Sequence, residues 1–164
     1  MPDSPVNIRY MVNDVEAAIA FYTTHFGFRL LSNAAPAFAD VVRGELRLLL
    51  SGPKSSAGRP MPDGRQPGPG GWNRIHFIVD DIEAEVARLR EAGAPFRNDI
   101  LSGPGGQQVL LLDPAGNVIE LFQPAGTRPP AKESDPGISD AWARWRGSQP
   151  DDAPMEVFLG PDLG

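Results

Sequence analysis

The apolar and polar positions of this chain pass through the same series of signals twice. Residues 6–12 and 73–79 are rich in β-forming side chains with apolar alternation, so each predicts a strand. Directly after each strand, Asn13 or Asp80 offers an oxygen to cap the free amides of a helix start. Glu16 or Glu83 follows at the capping-box spacing. Val15, Ile19 and Tyr22 in the first copy fall at i, i+4 and i+7, as do Ile82, Val86 and Leu89 in the second, giving each helix one apolar stripe. Gly27 and Gly93 mark the helix ends, because glycine accepts the left-handed conformation found there. Val12/Val79, Asp14/Asp81 and Glu16/Glu83 are each 67 positions apart, which makes the two stretches an internal repeat.

Three short strands are expected to complete each copy: 28–32, 37–43 and 45–51 in the first, then 95–100, 107–113 and 117–123 in the second. Asp113-Pro114-Ala115-Gly116-Asn117 predicts a hairpin turn, with Pro114 fixing φ and Gly116 accepting a positive one. GPGGQ at 103–107 precedes a strand and reads as a turn, not as a phosphate loop before a helix. Each copy is therefore a βαβββ unit in an α+β fold. One helix covers only one face of a four-stranded sheet, so two such units can curve around a shared cleft; two independent modules are the alternative. The expected organisation is a first module at 5–53, a linker at 54–72, a second module at 73–125 and a C-terminal extension at 126–164. Half of residues 51–72 are Gly or Pro, which argues against a regular element there and leaves an exposed linker or a lid. In the extension, Ile138, Trp142 and Trp145 share one face of a short helix, to pack on its own module, across a dimer or over the cleft.

Period-two alternation divides the strands into a helix side and an open side. The open side holds Asn7, Arg9 and Met11; Arg47, Leu49 and Ser51; Arg74, His76 and Ile78; and Val118, Glu120 and Phe122. The helix-side positions of the first and fourth strands, among them Tyr10, Val12, Leu48 and Leu50, are uniformly apolar, which supports the division.

Composition narrows the chemistry. With 41% hydrophobic residues in 164 the chain can bury a core. A formal charge of −6 argues against nucleic acid or an anionic membrane as partner. The absence of cysteine removes disulfides, thiolate catalysis and Cys-held metals. MPDSPVN has neither a basic nor an apolar leader region, and no apolar run reaches bilayer length, so a cytoplasmic protein is expected.

VNDVEAAIAFYTTHFGF at 12–28, VDDIEAEVARLREAG at 79–93 and LLDPAGNVIELFQP at 111–124 together resemble the vicinal oxygen chelate superfamily, which includes glyoxalase I, bleomycin resistance proteins and extradiol dioxygenases. The resemblance covers roughly residues 5–125 and implies paired βαβββ modules in a U-shaped mixed sheet around a cavity, and a homodimer. In metal-dependent members a divalent ion is held by the first and last strand of each module, and those positions here are Asn7, Leu49, Arg74 and Glu120. Glu120 alone is a usual ligand. Leu49 has no donor, Asn7 is a weak neutral donor and Arg74 is a permanent cation that opposes an ion beside it. No metal and no other cofactor is therefore expected, although His76 with Glu120 would make a weak ion site.

Three arginines among these positions need compensation. Arg74 and Glu120 as an internal ion pair is one reading. Recognition of a carboxylate or phosphate by Arg9 and Arg47, which otherwise reach solvent, is the other. The ligand-contacting candidates are Asn7, Arg9, Arg47, Arg74, His76, Glu120 and Phe122. Two functions stay open. One is a small-molecule binding protein of the bleomycin-resistance type, taking a small organic ligand, neutral or anionic, in the inter-module cavity without the usual metal. The other is a lyase, isomerase or dioxygenase-type enzyme in which His76 and Glu120 do the acid–base work.

Overall fold

The computed structural model describes residues 5–126. The repeat appears as two four-stranded mixed sheets, each with one helix. In the first copy β1 (Ile8–Met11) leads into α1 (Val15–His25), followed by β2 (Arg29–Ala34), β3 (Phe38–Arg43) and β4 (Leu46–Ser51) in the sheet order β1-β4-β3-β2. The second copy has β5 (Ile75–Ile78), α2 (Ile82–Glu91), β6 (Leu101–Gly103), β7 (Gly106–Leu112) and β8 (Val118–Pro124) in the order β5-β8-β7-β6. First and last strands pair in parallel in both sheets, as a helical crossover after the first strand requires. The expected C-terminal helix with Trp142 and Trp145 lies outside the described residues. Among the described residues no helix is long and apolar enough to cross a membrane.

The helix stripes do what the pattern predicts. Val15, Ile19 and Tyr22 are buried along α1, and Ile82, Val86 and Leu89 along α2. Tyr22 sits in an aromatic cluster with Phe21, Phe26 and Phe28, the last edge-on at 5.6 Å between ring centroids. The amides of Phe26 and Phe28 both donate to the carbonyl of Tyr22, and Gly27 between them takes φ +66°, so α1 ends in the expected left-handed turn. The caps lie one residue later than expected. Asp14, not Asn13, accepts from the Ala17 amide, and Asp81, not Asp80, accepts from Ala84.

Two other expectations are corrected. The second copy's second strand is Leu101–Gly103, not 95–100. Pro95 has no amide to give a ladder, and the segment lies beside β7 through a lone Phe96–Leu111 bridge. There the side-chain oxygen of Asn98 takes the Leu110 amide that a backbone carbonyl would otherwise accept. The Gly/Pro-rich stretch also contains one regular turn, a 3-10 helix at Ser56–Gly58, closed by Ser55 hydrogen bonds to the Gly52 carbonyl.

The described chain divides into two compact units that do not coincide with the two copies. One holds the chain up to Arg74 together with Leu112–Val118, and the other holds Ile75–Leu111 and the chain from Ile119. The first unit thus includes the turn of the second copy's last hairpin. Its bonds are specific: Tyr22 donates its hydroxyl to Asp113 Oδ2 at 2.9 Å, and Tyr10 donates to the Val118 carbonyl at 3.0 Å.

Candidate functional site

In the second unit, His76 and Glu120 come together through register. Parallel pairing sets His76 opposite Glu120 and Ile78 opposite Phe122, so all four share one face of the sheet. Ile75 and Phe77 turn to the other face and are buried. His76 Nε2 stands 3.6 Å from Glu120 Oε1, too long for a hydrogen bond but close enough for an ion pair when the imidazole is protonated. The His76 ring also lies 5.1 Å from the Phe122 ring, tilted by 35°. Glu120 and Phe122 are buried, whereas the His76 side chain is 38% exposed, so an incoming molecule meets the imidazole first.

This arrangement can carry a proton between two groups of different burial. It also sets a buried aromatic ring beside the imidazole. Among the described residues no three His, Asp or Glu side chains converge as a metal-holding group.

The first unit has its own polar face. Strand pairing aligns Arg9, Leu49, Asp40 and Ser32 in one row across β1, β4, β3 and β2. Asp40 is 1% exposed, yet its carboxyl has both a hydroxyl and a guanidinium partner. Ser32 Oγ donates to its Oδ1, while Arg47 Nε and Nη2 both reach its Oδ2. Burial works against ionising Asp40, but the hydrogen bonds from Ser32 and Arg47, with the Arg47 charge, outweigh it and hold the carboxyl below the usual carboxylate range. Arg9 donates from Nη1 to Ser51 Oγ at 2.6 Å, and Ser51 is buried beneath it.

The sequence therefore indicated the faces but missed a partner. Arg47 was expected to reach solvent or an anionic ligand, and the structure gives it Asp40. The signal was present: Gly44-Glu45 between Arg43 and Leu46 makes a two-residue hairpin, and counting back from it places Asp40 diagonal to Arg47 on the same face. Asn7 lies exposed just ahead of β1, and Leu49 occupies the first sheet's open face with no donor to offer. Arg74 precedes β5, with Nη1 3.4 Å from the Trp72 carbonyl.

No curated protein matches the chain. Several solved structures share its fold. A lactoylglutathione lyase from Agrobacterium tumefaciens is 24% identical, with a TM-score of 0.59 over 75% of this chain and 95% of that one. An antibiotic-binding protein from a Streptomyces species is 28% identical, with a TM-score of 0.55 over 76% of this chain and 99% of that one. A genomically encoded fosfomycin resistance protein from Listeria monocytogenes is 15% identical, with a TM-score of 0.58 over 77% and 96%. Residues 5–121 match the family model described as the Glyoxalase/Bleomycin resistance protein/Dioxygenase superfamily. With its two βαβββ copies and this match over most of its length, the chain belongs to that superfamily.

Proposed function

We propose that this chain binds a small organic molecule against the His76–Glu120–Phe122 face, with no divalent ion in the role that other superfamily members give one. The observation that carries the reading is the donor set. Of the four positions the superfamily resemblance assigns to the ion, Leu49 has no donor atom, Arg74 is a permanent cation, Asn7 offers one neutral oxygen and Glu120 alone is a usual ligand. A buried carboxylate beside a half-exposed imidazole and an aromatic ring is a polar anchor inside an apolar surround, as small-molecule sites commonly are. The likeness to a Streptomyces antibiotic-binding protein at 28% identity supports binding as the primary role.

The ligand we propose has a flat apolar part and a polar or anionic group. Arg74, two residues ahead of His76 in the chain, is the cation proposed for that group. Arg47 drops out of the candidates, since Asp40 already neutralises it. A homodimer in the cytoplasm is the proposed setting.

The His76–Glu120 geometry favours one second reading, an enzyme in which the pair moves a proton. Native mass spectrometry of protein purified without added metal or chelator separates the possibilities. Chains free of metal, with or without a co-purified organic molecule, are the expected result; one divalent ion per chain would overturn the metal-free reading. For any molecule found this way, Glu120→Gln and His76→Ala weaken binding modestly if the protein only binds, and abolish conversion if it is an enzyme.

A further inference from the structure

The side-chain amide of Asn117 is tied at both ends to the two segments that lead into the candidate site. Its Oδ1 accepts from the Gly70 amide at 2.9 Å, and Gly70 lies on the run into β5 and His76. Its Nδ2 donates to the Met11 carbonyl at 2.8 Å and to Asp113 Oδ2 at 2.9 Å. Asn117 is itself 4% exposed and stands three residues ahead of Glu120 on β8. All these partners belong to the first compact unit, while His76 and Glu120 belong to the second. The chain enters the second unit at Arg74/Ile75 and again at Val118/Ile119, each time just ahead of a site residue.

This placement matters because of where the site pair sits in its ladder. Ile75↔Ile119 and His76↔Glu120 are the first two of four pairs between β5 and β8. A strand pair opens first at its ends, where fewer contacts hold it. At the far end the Val79 amide continues the pairing by donating to the Phe122 carbonyl at 2.9 Å. At the near end, one buried carboxamide holds both incoming segments.

We infer that Asn117 is the positioning residue for the His76–Glu120 pair: it clamps the start of the β5–β8 ladder so that imidazole and carboxylate keep their spacing. The inference rests on reading that pair as the site, but its test needs no ligand and can fail independently of that reading. Asparagine suits the role because one side chain must both accept and donate. Aspartate would lose the donor and set a second carboxylate against Asp113.

The test is amide hydrogen exchange, with ring-to-ring nuclear Overhauser effects between His76 and Phe122, on the full chain and two variants. Asn117→Ala is expected to speed exchange at Ile75–Phe77 and Ile119–Leu121 by about tenfold relative to Val79, and to weaken the ring contacts. Leu48→Ala leaves every Asn117 bond in place while removing buried apolar packing from the same unit. It should speed exchange at both ends of the ladder equally and leave the ring contacts intact. If Asn117→Ala does not fold, Asn117→Ser, which removes less, must show the same uneven pattern in smaller degree. Equal acceleration at both ends in an Asn117 variant, or unchanged ring contacts, would reduce Asn117 to a general stabiliser and overturn the inference.

Discussion

Replacing Tyr22 with phenylalanine tests the bond that fastens the 112–118 hairpin to α1. Tyr22 is fully buried, and its hydroxyl is 2.9 Å from a carboxylate oxygen of Asp113. A hydrogen bond to a charged group is worth about 1.5–3 kcal/mol. Asp113 keeps three other donors in the variant: the amides of Ala115 and Asn117 on Oδ1 and the Asn117 carboxamide on Oδ2. The loss should therefore fall near the lower bound, about 1.5 kcal/mol, which lowers a urea midpoint by about 0.5–1.5 M at ordinary slopes. Asp113→Ala removes the acceptor of all four donors and should cost about 3–5 kcal/mol.

The pair also has a pH signature. Burial first, then the negative charge of Asp113, pushes the Tyr22 phenol far above its ordinary value. The unfolded chain ionises this group near pH 10 while the folded chain does not, so its contribution is intact below about pH 10 and is lost as pH rises further, by up to about 1.4 kcal/mol per unit. Tyr22→Phe has no phenol to ionise at this position. Its deficit should shrink above pH 10 and vanish near pH 11. Urea unfolding followed by far-UV circular dichroism, on both single variants and the double variant, measures all of this. Additive costs in the double variant, or a deficit that does not change with alkaline pH, would show that the two side chains are not coupled as described.

Three other outcomes follow from the same structure. Asp40→Asn should flatten the acid limb of stability: the folded carboxyl titrates below its unfolded value, so its stabilisation is present above about pH 4 and lost as pH falls further, which acid-unfolding curves of parent and variant would compare. Gly106→Ala should cost at least about 2–3 kcal/mol, because its Cβ would stand 2.1 Å from the Gln123 carbonyl oxygen at φ +144°; a melting temperature within a degree of the parent would contradict this. Leu48→Ala, at a fully buried position of β4, should cost about 2–5 kcal/mol by urea titration.

The fold was legible because two βαβββ copies repeat the same periodicities, and a period-two reading separated the buried from the more open positions on β1, β4 and β5. The errors have local causes. Asn13-Asp14 and Asp80-Asp81 each offer two adjacent capping groups, and the choice between them is made by where the backbone leaves the strand. The 95–100 segment has strand-like side chains in Phe96 and Ile100, but Pro95 and Asn98 replace ladder bonds with other ones. Of the candidate site, alternation put His76 and Glu120 on the open face, but their pairing appears only in the β5–β8 register. The role of Asp40 likewise appears only when the β3–β4 register is worked out. The importance of Asn117 is less legible still, because its partners Gly70, Met11 and Asp113 are distant from one another in the chain.

The 112–118 hairpin has a consequence for how such a chain could have arisen and how it can be divided. If the two copies descend from one duplicated half, they have since ceased to be separable pieces. A first half cut free at the Gly/Pro-rich stretch would carry the Tyr22 hydroxyl into an apolar core with its acceptor left on the other fragment. It would also lose the carbonyl that Tyr10 now reaches. The boundary between one copy and the next is thus not the boundary between the two compact units of the folded chain.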